Sequence, residues 1–194
     1  MKEGAQRFTM ARVAEKAGVS VGSLYQYFPN KAAVLFRLQS DEWRQTTALL
    51  RGLAEDASRP PLQRLRAVVH AFVQSECDEV AVRVALSDAA PLYRDAPEAK
   101  EVRASSQAMI EAFLREALPA STQALRMLAG DLIVTTLGAV GKRFSEAPRT
   151  LAEIATYSGA VADMLCAYLD SLSDSPSSKV PRYPPQQRRR AAKR

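Results

Sequence analysis

The chain has 194 residues, of which 47% are hydrophobic and 25% charged, and its formal net charge is +6. This length allows one or two domains with a sizeable buried core. No apolar run approaches the roughly 18 to 20 residues of a membrane span, and the start, Met1-Lys2-Glu3-Gly4, lacks the hydrophobic core of a signal peptide. The composition therefore predicts a cytoplasmic protein with no membrane partner.

The charge is distributed unevenly along the chain. Residues 1–40 carry six lysines and arginines against two acidic residues, whereas residues 41–173 carry fourteen against eighteen. Residues 174–194 carry seven against one. The basic chain favours a polyanionic partner, and its acidic middle needs no contact with one. The basic tail is either a solvated, disordered segment or a sequence-independent contact to phosphates.

The sequence lacks the residues and motifs that several classes of functional site require. His70 is the only histidine, Cys77 and Cys166 form no CxxC pair, and Gly-rich phosphate loops are absent. No nucleophile, base and orienting group can be assembled from the remaining residues. We therefore expect no metal site, no cofactor and no enzymatic activity.

Apolar residues recur at three- and four-residue spacings before Ser173, so the predicted fold class is all-α. Two short helices are predicted within Thr9 to Phe28, and Asn30 is expected to cap a long helix from Lys31 to about Asp56. The predicted apolar side of this long helix includes Leu38 and Leu49. The further helices are predicted from Pro61, from Cys77 to Ala89, from Pro97 to Leu118, from a cap at Ser121 to about Glu146, and from a cap at Thr150 to Leu172.

The last two predicted helices are apolar on more than one face, over Leu125 to Val140 and Ile154 to Leu169. Such helices need burial on two sides, which a core and a second subunit together can supply. Beyond Ser173 the chain is rich in Pro, Ser and Arg, which predicts a disordered basic tail over residues 174–194.

The first short helix and its end are defined by local signals. Thr9 can cap this helix, and Val13 and Ala17 lie one turn apart on its expected inner face. Gly18 can adopt the left-handed conformation that ends it, and Val19 is expected to fill the junction with the next helix.

The second short helix begins after Ser20, a favourable cap, and its expected inner face is Leu24 and Phe28. Tyr25 is also interpreted as a packing residue and not as a DNA contact. Two short helices joined by such a turn form a helix-turn-helix. The outward residues are small or can form hydrogen bonds, and no acidic residue occurs from Gly18 to Ser40. Such a face can enter the major groove of DNA, where hydroxyl and amide groups read base edges. The outward residues are Val21, Gly22, Ser23, Gln26 and Tyr27.

The segment from Ala14 to Lys31, AEKAGVSVGSLYQYFPNK, resembles the N-terminal signature of the TetR family of bacterial transcriptional regulators. The resemblance implies a homodimer that binds a palindromic double-stranded DNA operator, with Ser20 to Tyr27 as the recognition helix. It also implies a pocket for an unknown small-molecule effector, and a dimer interface built from about Ser121 to Leu172. The predicted DNA-binding residues are Thr9, Ser20, Val21, Gly22, Ser23, Gln26, Tyr27 and Lys31, with Tyr27 and Lys31 on phosphates.

Members of this family have a full helix before the helix-turn-helix, but only eight residues precede Thr9 here. We therefore expect three segments: an incomplete DNA-binding domain without its first helix (1–40), a helical ligand-binding and dimerisation domain (41–173), and the tail (174–194). The chain as written is expected to bind its operator weakly, and an upstream extension is expected to restore binding.

Apolar residues at helical spacing in the middle of the chain are core residues that can also line a ligand cavity, together with a few polar groups. The candidate pocket residues are His70, Phe72, Glu76, Arg83, Tyr93, Met109, Phe113 and Thr136. The sequence thus predicts a ligand-responsive transcriptional regulator, more a repressor than an activator. The alternative is a dimeric small-molecule-binding or protein-interaction module that has lost DNA binding with its first helix.

Overall fold

The structure is a computed structural model that describes residues 8–86 and 96–173. Within these ranges the chain forms eight helices and no strand, which confirms the all-α prediction. Expectations for residues 1–7, for Tyr93 and for the tail at 174–194 lie outside the described residues. The helices are α1 (Met10–Ala17), α2 (Val21–Tyr27), α3 (Lys31–Glu55), α4 (Pro61–Asp78), α5 (Val80–Leu86), α6 (Pro97–Ala117), α7 (Gln123–Phe144) and α8 (Leu151–Ser173).

Local side-chain caps set most of the helix starts. The side-chain oxygen of Asn30 accepts a 2.9 Å hydrogen bond from the backbone N–H of Ala33, as the sequence predicted. Thr150 and Glu153 form a reciprocal capping box at the start of α8. The predicted cap of α7 was wrong by one residue, because Thr122 and not Ser121 accepts from the first turn of this helix.

The predicted helix from Cys77 to Ala89 was also wrong in its start. Cys77 belongs to α4, which ends at Asp78, and α5 begins at Val80. Glu79 between them keeps a near-helical backbone, and its N–H donates to the carbonyl of Ser75 at 2.8 Å. Apolar periodicity therefore runs through the junction and hides the break.

Helix α4 forms the centre of the larger hydrophobic core. It packs against α3, α6, α7 and α8, and its residues Leu65, Val69 and Val73 are almost completely buried. The approach of α7 is close: a Cβ at Gly141 would lie 2.9 Å from both the Phe72 ring and the Glu76 side chain. Any residue larger than glycine at position 141 would force the Phe72 and Glu76 side chains, or α7 itself, to shift.

A second, smaller cluster holds the N-terminal helices together. Met10 and Ala14 of α1 pack with Leu24 of α2 and Val34 of α3. Helix α3 therefore takes part in this cluster through its first turn, while its later turns pack against α4 and α6. It runs without interruption through residue 40, where the sequence placed a domain boundary.

Part of the predicted apolar side of α3 is wrong, since Leu38 and Leu49 are exposed. Helix α7 departs from expectation in another way: by length and composition alone, it is apolar enough to cross a membrane, with a mean hydropathy of 1.4 in its most apolar window. Only 28% of that window is buried within the structure. Much of the apolar surface of α7 therefore has no partner among the described residues.

A buried arginine, Arg64, holds the C-terminal end of α3 by a hydrogen bond. The side chain of Arg64 on α4 is 3% exposed and donates to the carbonyl of Ala54 at 2.9 Å. The same guanidinium forms an ion pair with Glu116 on α6. Arg64 therefore links α3, α4 and α6 at the end of the molecule opposite the smaller cluster.

Candidate functional site

The turn between α1 and α2 has the geometry that the sequence predicts. Thr9 caps α1, and Gly18 ends it with φ 67° and ψ 27°, a left-handed conformation. The N–H groups of Gly18 and Val19 donate to the carbonyls of Glu15 and Ala14. A Cβ at Gly18 would meet nothing within 4 Å, so the backbone conformation, and not lack of space, favours glycine here.

Ser20 begins α2 and uses its side chain to do so. Its hydroxyl oxygen accepts a 2.9 Å hydrogen bond from the backbone N–H of Ser23 and lies 2.9 Å from the Ser23 hydroxyl. The hydroxyl groups of both serines are therefore engaged with each other at the start of the helix. Leu24 on the opposite face is buried against α1 and holds the two helices in one orientation.

The outward face of α2 is open, as the sequence predicts. Gly22, Gln26 and Val21 are exposed, and the Tyr27 side chain is 80% exposed. Ser23, in contrast, is half-buried. Of the predicted outward residues, Gln26 and Tyr27 thus have the most freedom to meet a partner.

Three assignments around α2 need correction. Val19 was expected to fill the junction but is 45% exposed, and Ala17 was expected on the inner face of α1 but is exposed. Tyr25, interpreted as a packing residue, is 49% exposed. It lies one turn after Val21, so the i, i+4 spacing was a signal that Tyr25 belongs to the outward surface.

Lys31 and Thr9 extend this surface on either side of α2. Lys31 is the first residue of α3 and is exposed, with its ammonium 5.6 Å from the centroid of the Phe8 ring. Thr9 is exposed at the start of α1. Since residues 18–40 contain no acidic side chain, the surface formed by Thr9, the outward face of α2 and Lys31 carries no negative side-chain charge from this segment.

The seven candidate pocket residues within the described ranges do not line one common cavity there. Met109 and Phe113 line a small apolar cavity of about 20 Å³ between α4 and α6, which is about the volume of one water molecule. The remaining residues of that lining are Ala54, Leu65, Val68 and Ile110.

Three polar candidates, His70, Glu76 and Arg83, are paired with protein groups elsewhere. The Nδ1 atom of His70 lies 2.5 Å from the hydroxyl of Ser158 on α8. Arg83 pairs with Glu76 at 2.6 Å and also donates to Ser145 at 2.5 Å. Phe72 and Glu76 pack against Gly141, whereas Thr136 is half-buried on α7. The pocket therefore stays a prediction.

Three carboxylates gather where α3 meets the junction of α4 and α5. Burial raises the pKa of Glu79, and the nearby charges of Glu42 and Glu76 raise it further, while a hydrogen bond from Thr46 opposes the shift. Burial also raises the pKa of Glu42 and of Glu76. The Oε2 atom of Glu42 is buried without a hydrogen-bond partner among the described residues. The folded protein therefore disfavours full ionisation of this group.

Known proteins match both parts of the chain. A family model described as bacterial regulatory proteins, tetR family, matches residues 1–38, and a model described as tetracyclin repressor-like, C-terminal domain, matches residues 60–172. The HTH-type transcriptional repressor KstR of Rhodococcus jostii (strain RHA1) is 30% identical over 114 residues, or 59% of this chain and 52% of that relative. The match thus spans about half the length of this curated relative.

Two solved structures share the fold. The TetR family transcriptional regulator PfmR from Thermus thermophilus has a TM-score of 0.63 at 17% identity, over 86% of this chain and 91% of that chain. The fatty acid degradation regulator FadR from Bacillus halodurans has a TM-score of 0.55 at 19% identity, over 87% of this chain and 90% of that chain. At these identities the likeness concerns the fold alone.

The carboxylate group predicts a pH-dependent stability. Because folding raises the pKa of Glu79, its stabilising contribution is present below the ordinary carboxyl pKa and is lost as the pH rises through the raised value. We expect Glu79→Gln, which can still accept from Thr46, to raise the free energy of unfolding by about 1 kcal/mol at neutral pH. The gain should shrink as the pH falls towards about 4.

Urea unfolding at several pH values measures this effect. Glu111→Gln, at an exposed position on α6, serves as the control and should change stability by less than about 0.5 kcal/mol. A Glu79→Gln gain that is equal at all pH values, or a loss at neutral pH, would contradict the account.

Proposed function

Because the chain belongs to the TetR family of bacterial regulatory proteins, we propose that it is a ligand-responsive repressor that binds a palindromic operator as a homodimer in the cytoplasm. The observation that carries this proposal is the open, acid-free face of α2, held on α1 by Leu24 and by the left-handed turn at Gly18. The match of residues 1–38 to the regulator model favours DNA binding over the alternative of a module that has lost it. The relative KstR is named a transcriptional repressor, which supports repression and not activation by this chain.

The outward face of α2 can read a duplex in its major groove. Gln26 presents an amide that can form hydrogen bonds with base edges, and Val21 presents an apolar group that suits a thymine methyl. Gly22 lets the backbone of the first turn approach the duplex closely. Tyr27 and Lys31 flank this face and can hold phosphates, which positions the helix without specifying sequence.

The exposed surfaces of α7 and α8 favour a homodimer through these helices. Met127 on α7 is 59% exposed and Met164 on α8 is 51% exposed, although both helices are packed against α4 on their other side. Gly138 on α7 is exposed, and a Cβ there would meet nothing within 4 Å. Apolar side chains with a small residue among them allow two helices of a partner to pack closely on this face. The other large apolar residues exposed on these helices are Leu128, Leu132, Val134 and Leu151.

Helix α3 gives the dimer a way to regulate DNA binding. Three residues separate it from α2, and its later turns pack against α4 and α6 of the helical body. A ligand that binds one orientation of α3 more tightly shifts the population towards that orientation. Because half-sites in an operator have a fixed spacing, a change in the separation of the two α2 helices lowers affinity.

Gly22→Leu tests DNA binding through α2. A Cβ at position 22 would make only an ordinary 3.7 Å contact with the Ser20 hydroxyl, so the fold should accept the change. We expect the thermal midpoint to be maintained and the affinity for DNA to fall at least about tenfold, because the added side chain holds the helix away from the duplex. The duplex is selected from a random pool by the wild-type protein, and affinity is measured by fluorescence anisotropy.

Gln63→Leu, an exposed change on α4, is the matched control and should bind the selected duplex like the wild type. Wild-type affinity in Gly22→Leu would rule out close approach of α2. Failure of the wild-type chain to select any sequence would favour the alternative module without DNA binding.

Leu132→Glu tests the dimer. The added charge would be buried between subunits without a partner, so the dissociation constant of the dimer should rise at least about tenfold. Sedimentation velocity over a range of concentrations measures it. Leu49→Glu, at an exposed leucine on α3, should leave the dimer unchanged. Equal dissociation constants for the two variants would place the interface elsewhere.

A further inference from the structure

A groove of about 380 Å³ lies between α3 and α6. This volume lies within the range of small-molecule sites. None of its lining residues belongs to the candidate pocket set or to the small apolar cavity between α4 and α6. The groove is lined by Arg44, Thr47, Ala48, Arg51, Gly52 and Glu55 of α3 and by Glu101, Val102 and Ser105 of α6.

The two arginines of the groove differ in how they are neutralised. Arg44 lies 3.3 Å from Asp41 and 3.6 Å from Glu101, so its charge is compensated within the protein. Arg51 reaches across the groove and donates to the hydroxyl of Ser105. Among the residues that the structure describes, no carboxylate lies within 4.0 Å of the Arg51 guanidinium. The Arg51 guanidinium can therefore donate hydrogen bonds to the carboxylate of a ligand.

Gly52 opens the floor of the groove. It lies in the interior of α3, where glycine weakens a helix, and its φ is not positive. A Cβ at this position would meet nothing within 4 Å, so no close approach of protein atoms requires glycine. With Ala48 and Val102 it leaves a small apolar surface beside Arg51.

We propose that this groove binds a small monocarboxylate with a short apolar body. The carboxylate accepts from Arg51, with the Ser105 hydroxyl beside it, and the apolar body lies over Gly52 and Val102. Glu55 on the same lining repels additional negative charge, which favours a monoanion over a phosphate dianion.

Binding in the groove has a regulatory consequence that rests on the proposed function. The ligand contacts α3, which carries the recognition helix at its N-terminal end, and α6 of the body. It also competes with the Arg51 to Ser105 hydrogen bond between the two helices. Occupation of the groove therefore changes the preferred orientation of α3 and, with it, the affinity for DNA.

Isothermal titration calorimetry of the full chain with 3-phenylpropionate tests the site. We expect a dissociation constant of about 1 mM, as a weak ligand of this size allows, and at least about tenfold weaker binding of the uncharged 3-phenylpropionamide. Arg51→Gln removes the charge, and Gly52→Leu fills the floor with a side chain that meets no protein atom at its Cβ. Each should weaken 3-phenylpropionate binding at least about tenfold.

Arg115→Gln, an exposed arginine on α6 outside the groove, is the matched control and should bind like the wild type. No 3-phenylpropionate binding at about 10 mM, equal binding of the amide, or wild-type affinity in both groove variants would overturn the site. These measurements need no DNA, so their failure is distinct from failure of the proposed function. Unchanged affinity for the selected duplex with the groove saturated would overturn the regulatory consequence.

Discussion

The arrangement of the molecule depends on the continuity of α3, a single helix of 25 residues. At 1.5 Å per residue it spans about 37 Å. Its first turn packs with α1 and α2 through Val34, and its end is held by Arg64 through the carbonyl of Ala54. Only three residues, ending in the cap Asn30, separate it from α2. A rotation of α3 within the body therefore carries α2 with it, because α1, α2 and α3 share one hydrophobic cluster and only three residues join α2 to α3.

The continuity of α3 also bears on the role of the exposed apolar surfaces of α7 and α8. Regulation through α3 requires a body against which the helix can move, and α4 provides it by packing on α3, α7 and α8 together. The apolar surface left open on α7 and α8 lies on the same two helices, so a partner subunit there would fix the body. The proposed dimer interface would also cover the apolar surface of α7, the helix that has the length and hydropathy of a membrane span.

Local chemistry made the helix-turn-helix predictable from the sequence, whereas packing between helices did not. Thr9, Gly18, Ser20 and Asn30 act within a few residues of themselves, and all four have the predicted roles. The exposure of Val19 depends on how α1 and α2 cross, which periodicity does not encode. The candidate pocket residues share helical faces but lie apart, because the relative positions of α4, α6 and α7 are set by close contacts such as Gly141.

The central claim is that two copies of α2 read one duplex through its major groove. Dimethyl sulfate protection of guanine N7 on the selected duplex tests this most directly, because N7 lies in that groove. The account predicts two protected segments related by two-fold symmetry, whose centres are separated by one helical turn or a multiple of it. A single protected segment, or full reactivity of guanine N7 under saturating protein, would contradict it.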